Sequence, residues 1–323
     1  MRRLSHRDRE TVGAAIERGA RLLAAGRLHF GHGTGNARDE AAELVFFCAR
    51  RPHAEGAGAY GRLLSVRCSA RIDALLERRI RERMPLPYLT HRAFFAGLEL
   101  YVDERVLVPR SPIAELAAQR FAPWIEARRV RDILDIGTGS GAIAAACAVA
   151  FPRARVDAVD ISNAALAVAR RNMRRLGLRA RVRVLRSDHF AAVGDRRYDI
   201  IVSNPPYVGS AEMRRLPREY RHEPRLGLAA GKDGLTAVRA ILAGAARHLQ
   251  PDGLLVVEVG NSEDALLRAY PRLAFVWPQI DMGGGGVFML RRSDLAGGGE
   301  PEAPPRRRVR GRGGPVAKGR GER

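Results

Sequence analysis

Residues 131–150 read RDILDIGTGSGAIAAACAVA, and residues 198–208 read YDIIVSNPPYV. In the first stretch an apolar strand ends at Asp135, a loop with Gly137, Thr138, Gly139, Ser140 and Gly141 follows, and an alanine-rich helix begins. Glycine lets the backbone turn sharply and leaves no Cβ between chain and ligand, so strand, glycine loop and helix make a nucleotide cradle, with Asp135 at the strand's end as a candidate cofactor contact. The spacing alone does not choose the nucleotide. Gly137, Gly139 and Ala142 also satisfy the G-x-G-x-x-G/A pattern of dinucleotide domains. Asp160, about 20 residues on, stands where that pattern places a ribose-binding acid.

Outward from this loop the chain repeats strand, loop and helix, which calls for parallel strands joined by right-handed crossovers. Strands are expected at 131–136, 155–160, 181–186, 199–203, 253–259, 274–280 and 286–291, and helices most clearly at 141–150, 163–176 and 234–249. The last two strands, separated by MGGGG, are too close for a crossover and should pair antiparallel. Asp160 ends the second strand in ARVDAVDIS, and its carboxylate can accept both hydroxyls of an adenosine ribose. Asp188 follows the third strand in VLRSDHF and could accept from an adenine amino group, although Ser-Asp after a strand is also an ordinary helix start.

The second stretch separates the readings of the first. The apolar strand 200–202 delivers Asn204, Pro205, Pro206 and Tyr207 to the same edge of the sheet as the glycine loop. An amide or aromatic amino nitrogen is a weak nucleophile because its lone pair is delocalised. Hydrogen bonds from its N–H groups to the Asn204 side-chain oxygen and the Pro205 carbonyl would favour pyramidal geometry and aim that lone pair at an electrophile. The two prolines fix φ and remove two donors, so the loop presents acceptors in a rigid frame. Tyr207 can pack against a flat substrate group. Asn-Pro-Pro alone is also a common turn; beside a cofactor loop it points to transfer of a methyl group from S-adenosylmethionine to a planar nitrogen.

Composition limits the remaining options. Of 323 residues, 46% are hydrophobic and 28% charged, within the soluble globular range. No apolar run nears the roughly 18 residues a membrane span requires, and MRRLSHRDRE at the start lacks a secretory pattern. A cytoplasmic enzyme with no membrane partner is expected. Cys48, Cys68 and Cys147 have neither disulfide nor zinc-knuckle spacing, and His29 and His32 in HFGHG read as a loop, so no metal is expected. The net charge of +21 favours an anionic partner such as nucleic acid or a ribosome-associated surface. Only Lys232 and Lys318 among the 56 basic residues are lysines, an arginine bias that a GC-rich genome also produces. The tail from 293 to 323 carries +4, leaving +17 on the body.

Before the glycine loop, apolar residues at helical spacing (Ile16, Leu22, Leu23; Leu44, Val45, Phe46; Ile72, Leu75, Leu76, Ile80) predict a small helical domain over 1–90. FFAGLELYVDERVLV, 94–108, alternates like a β-hairpin, giving a connector at 91–112 and an α/β domain at 113–292. From 293 to 323 Gly, Pro and Arg dominate, and a disordered basic tail is expected.

On these motifs the chain resembles the protein-(glutamine-N5) methyltransferases, in which a small N-terminal helical domain precedes a seven-stranded, Rossmann-like class I methyltransferase domain. One branch of that family methylates the GGQ glutamine of peptide-chain release factors; the other methylates a glutamine of large-subunit ribosomal protein L three. From about residue 30 to 290 this chain is similar to the second branch, in FGHGTGNARDE, PRSPIAEL, LPREYRHEPRLGLAAGKDGL and VVEVGNS. The release-factor branch typically has PRPETE-like residues where PRSPIAEL stands. The resemblance implies S-adenosyl-L-methionine as cofactor, with Gly137, Thr138, Gly139, Ser140, Gly141, Asp160 and Asn204 as its contacts. It implies Asn204, Pro205, Pro206 and Tyr207 as the glutamine-binding loop, the helical domain as the recogniser of the ribosomal protein, and N5-methylglutamine as the product. His189 departs from the apolar or aromatic residue usual there. Methylation of the release-factor glutamine, and that of an adenine or guanine amino group by the same loop on a flipped base, are the competing substrate classes; a ribosome-assembly binder with a vestigial cofactor site is the non-enzymatic one.

Overall fold

The structure is a computed structural model that describes residues 10–51, 53–281 and 285–295. Three helices, α1 (Val12–Ala25), α2 (Ala37–Ala49) and α3 (Val66–Glu82), and the short α4 (Leu86–Thr90) pack around Ile16, Leu23, Leu44, Val45, Ile72 and Leu76. Thr11, Asn36 and Ser65 cap the first three, each accepting a backbone N–H with its side-chain oxygen. Each fully buried aliphatic side chain contributes about 1.5–3 kcal/mol. This cluster also encloses a cation. The Arg79 guanidinium donates to Glu40 at 2.6 Å and to the His29 carbonyl at 2.9 Å.

Strands β1 (Ala93–Phe95) and β2 (Leu98–Leu100) form the connector hairpin, turning through Ala96 and Gly97, both at positive φ. The hairpin is shorter than the alternation to residue 108 predicts. The Asn172 side-chain amide takes the place of a ladder partner: it accepts from Tyr101 N at 2.8 Å and donates to Tyr101 O at 2.9 Å. Asp103 then turns the chain by accepting from Arg105 N. Helix α5 (Ile113–Ala118) leads into the large sheet.

The sheet elements are β3 (Asp132–Ile136), α6 (Ala142–Ala150), β4 (Arg155–Asp160), α7 (Asn163–Arg175), β5 (Val182–Arg186), β6 (Tyr198–Ser203), α8 (Ser210–Met213), α9 (Thr236–His248), β7 (Leu249–Glu258), α10 (Glu263–Ala269), β8 (Val287–Arg291) and α11 (Arg292–Leu295). Strand order is β5-β4-β3-β6-β7-β8, with β3 to β7 parallel and β8 antiparallel. Alternate side chains supply two apolar layers. Ile133, Val156, Ile200 and Val256 pack against α5 and α6; Leu134, Ile201, Leu255 and Val257 pack against α9 and α10. Helix α6 can lie flat on the sheet because its inner residues are almost all alanine.

Two expectations are corrected here. Among the described residues the sheet has six strands, and 274–280 is reduced to one antiparallel bridge, Val276 to Met289. Pro278 lacks the N–H a ladder needs, and Phe275 and Trp277 instead pack as aromatic side chains against Phe288. The expected tail does not begin at 293 either: the helical turn α11 runs to Leu295, which is buried beside α9 and β7. Residues 296–323, most of the expected tail, lie outside the described residues.

Sheet order reverses between β3 and β6, and in such sheets ligands bind at the strands' carboxyl ends where the order reverses. Ile136 stands opposite Ser203, so Gly137 and Asn204 leave the sheet side by side. The Ser203 hydroxyl donates to the Ile136 carbonyl at 2.7 Å and locks the two strand ends together.

Candidate functional site

At that reversal a cavity of about 460 Å³ opens, lined by Gly137, Thr138, Gly139, Ser140, Asp160, Asp188 and Asn204 to Tyr207. Gly137 and Gly139 take φ of +71° and +55°, which side-chain-bearing residues rarely adopt. The loop is tethered to the neighbouring strand. Gly137 N and Thr138 N both donate to the Val159 carbonyl, and Gly139 N donates to Asp160 Oδ2 at 2.9 Å. Asp160 Oδ1 accepts from Ser162 N at 2.8 Å. Burial pushes the Asp160 carboxyl up, against the pull of these backbone donors. Each carboxylate oxygen has two lone pairs, so acceptor capacity remains for a ligand's hydroxyls.

Asp135 and Gly141 stand behind the cavity wall instead of on it. Asp135 Oδ2 accepts from the Thr138 hydroxyl at 2.6 Å and from Ala144 N at 3.0 Å, bracing the loop from below. Its Oδ1 is buried without a hydrogen-bond partner, and burial lifts the carboxyl to about 7 despite the two donors. At Gly141, φ +81°, a Cβ would come within 2.9 Å of Met173 and 3.3 Å of Ala169; this glycine lets α6 begin directly against α7. Asp188, two-thirds exposed, has Oδ1 2.7 Å from His189 Nδ1, and His189 itself sits at φ +47°.

The Asn-Pro-Pro-Tyr loop is clamped by the neighbouring strand β7 and the turn that follows it. Ser262 Oγ donates to the Tyr207 carbonyl at 2.9 Å, and the Tyr207 hydroxyl donates to Glu258 Oε1 at 3.0 Å. Burial raises both the Tyr207 phenol and the Glu258 carboxyl. Ser111, from PRSPIAEL, donates to Glu258 Oε2 at 2.5 Å.

A second wall comes from regions far apart in sequence. Arg110 grips Glu223 with two bonds, 2.5 and 2.7 Å, and lies over the Tyr220 ring at 5.3 Å. Buried His32, from the helical part of the chain, packs on Tyr220 at 4.7 Å with Nε2 3.7 Å from Glu223. Burial pushes the Glu223 carboxyl up, but Arg110 and His32 outweigh it and hold it at about 2. Nearby, Glu219 accepts from His29 N at 3.0 Å and from Arg83 at 3.3 Å. The EYRHEP stretch thus joins the helical cluster to the cavity. Arg110, Ser111, Glu223 and Glu258 were not singled out from sequence as site residues. The legible signal was a lone carboxylate inside the apolar run LLVVEV, and charged residues inside the stretches that carry the family resemblance.

Among the described residues no group of three His, Cys, Asp or Glu side chains is placed to hold a metal ion, and no helix is long and apolar enough to cross a membrane. Residues 115–216 match the family profile described as Methyltransferase small domain. The chain is 46% identical over 286 residues to a ribosomal protein uL3 glutamine methyltransferase of Xylella fastidiosa, covering 88% of this chain and 91% of that protein. It is 45% identical to the protein of the same description from Neisseria meningitidis, over 84% of this chain and 89% of that one. Among solved structures, a T. thermophilus 16S rRNA N2 G1207 methyltransferase in complex with AdoMet and guanosine aligns with a TM-score of 0.43 at 20% identity, over 62% of this chain and 49% of that one. With identity at this level across nearly the whole of both chains, this protein belongs to the ribosomal protein uL3 glutamine methyltransferase family.

Proposed function

We propose that this chain transfers a methyl group from S-adenosylmethionine to the side-chain amide nitrogen of a glutamine in ribosomal protein uL3, giving N5-methylglutamine. The observation that carries the reading is the pairing of Ile136 with Ser203, which sets the glycine loop and Asn204 next to each other in one cavity. The residues fit the cofactor. Gly137 and Gly139 leave the loop surface open, since a Cβ at either would meet only backbone, at 4.0 Å. Asp160 offers acceptors for ribose hydroxyls, Asp188 one for the adenine amino group, and Asp135 Oδ1 is an unsatisfied buried acceptor beneath the loop. When bound, the cofactor supplies a methyl group made electrophilic by its sulfonium.

The chain's own residues do the rest by placement. The Asn204 side-chain oxygen and the Pro205 carbonyl accept the two N–H bonds of the substrate amide. This draws the nitrogen away from planarity and directs its lone pair along the transfer axis. The nitrogen gains the methyl and releases one proton to solvent, so no strong base is needed beforehand. Pro206 keeps the acceptors rigid, and Tyr207 bounds the substrate side. The helical part, 1–90, linked through 91–112 to the catalytic part, would recognise the ribosomal protein, with EYRHEP as the bridge between them. With such a substrate the reaction takes place in the cytoplasm. Incubation with labelled cofactor and either uL3 or naked RNA tests this. Label confined to one glutamine of uL3, lost with Asn204→Ala, is the expected result; label entering RNA alone refutes it.

A further inference from the structure

Tyr207 is held at three points, which is more than a simple lining residue requires. Its carbonyl takes the Ser262 hydroxyl, its ring lies against Gly260, where a Cβ would stand 2.6 Å from Cε2, and its hydroxyl ends on Glu258. Glu258 is the last residue of β7, following four fully buried aliphatic residues, Leu254 to Val257, and is itself 5% exposed. Burying a carboxylate is costly unless its lone pairs are used. Here they are used by two hydroxyls, Tyr207 on one oxygen and Ser111 on the other, while the nearby Arg110 is committed to Glu223. Ser111 is fixed in turn, since its Oγ accepts from Ile113 N at 3.2 Å at the start of α5. An apolar side chain would fill this strand position at lower cost, so packing alone does not account for a carboxylate there.

We propose that Glu258, anchored by Ser111, is a positioning residue for the methyl transfer: it fixes the plane of the Tyr207 ring so that the substrate amide is held against the Asn204 and Pro205 acceptors. Glu258 touches neither substrate nor cofactor and acts through Tyr207. The chain Ile113–Ser111–Glu258–Tyr207 ties the substrate loop to the PRSPIAEL segment, so the segment's distinctive serine has a defined task. This inference rests on the reading of Asn204 to Tyr207 as the amide-holding loop.

The test uses the full-length protein with uL3 and S-adenosylmethionine, measuring kcat, KM, cofactor Kd and melting temperature. Variants are Glu258→Leu, Glu258→Gln, Tyr207→Phe, the Glu258→Leu/Tyr207→Phe pair, and Asn204→Ala as control. Glu258→Leu and Tyr207→Phe should each lower kcat roughly 10- to 100-fold, as small misplacements near a reacting centre do, with cofactor Kd within about twofold of wild type. The double variant should be no slower than the slower single one, because both cut the same link. Glu258→Gln keeps an acceptor for the tyrosine hydroxyl and should recover most of the rate. Wild-type kcat in Tyr207→Phe, or losses that multiply in the double variant, overturns the proposal even if Glu258→Leu fails to fold. If Asn204→Ala kept the wild-type rate, the loop reading itself would fall and this proposal with it. Loss in Asn204→Ala beside unchanged Glu258→Gln and Tyr207→Phe, with full rate in Glu258→Leu, overturns the positioning role alone.

Discussion

Replacing Arg110 by methionine tests the wall that joins the two parts of the chain. Methionine keeps an unbranched apolar stem but withdraws the guanidinium from over the Tyr220 ring and both of its bonds from Glu223, whose side chain is fully buried. In the native protein the Glu223 carboxyl sits at about 2 instead of 4.5. A carboxyl depressed on folding contributes stability that is complete above its unfolded value and is lost as pH falls through its folded one. At about 1.4 kcal/mol per pKa unit, Glu223 and its partners hold about 3 kcal/mol at neutral pH. That lies within the roughly 3–5 kcal/mol typical of breaking one side of a buried pair. In the variant the carboxylate keeps the Val108 N–H at 3.1 Å and His32 Nε2 at 3.7 Å, but without the guanidinium its carboxyl rises back toward the ordinary value. The stabilisation that Glu223 gains by ionising on folding therefore shrinks in the variant, and with it the part that is lost as pH falls. Urea unfolding at fixed ionic strength, from about pH 4 to 8, reads the difference between the two proteins, in which other carboxylates cancel. The variant should be about 3 kcal/mol weaker at pH 7, and the gap should narrow toward pH 4. A gap below about 1 kcal/mol at pH 7, or one that stays constant with pH, would refute the assignment.

Gly139→Arg places a long side chain on the open loop at φ +55°, and calorimetric titration should show cofactor affinity reduced by at least about 100-fold with the far-ultraviolet dichroism intact; unaltered affinity contradicts the cradle. Gly260→Ala combines positive-φ strain with a Cβ inside the Tyr207 ring's space, for a loss of about 2–4 kcal/mol in chemical denaturation and a fall in kcat. Asp135, lifted to about 7, binds a proton on folding near neutrality, so its contribution is present below the ordinary carboxyl range and lost as pH rises through about 7; Asp135→Asn should abolish that part of the pH slope. Leu295→Ala, at a position the sequence pattern assigns to the tail, should cost about 2–4 kcal/mol, and a loss within about 0.5 kcal/mol would show that α11 is not part of the core.

What was legible in the sequence was local. The strand β3 with its glycine loop, and β6 with its proline loop, carry their signals within about ten residues, because parallel strands buried on both faces must be apolar throughout and sharp loops must use glycine or proline. The aromatic stretch before β8 misled because its residue types suit a strand, while Pro278 removes a ladder donor and the rings pack on Phe288. The second wall left no such local trace. Arg110 and Glu223 are 113 positions apart, and each alone resembles an ordinary surface charge. Only the fold removes them from water, and only then does charge pairing decide their ionisation. Glu258 lies between these cases: a single acid at the end of four buried aliphatic residues is locally visible as an anomaly, but its partner hydroxyls, Ser111 and Tyr207, are 147 and 51 positions away. A buried carboxylate that must find its donors in other segments therefore marks where distant parts of the chain converge, and here that place is the Asn204 loop.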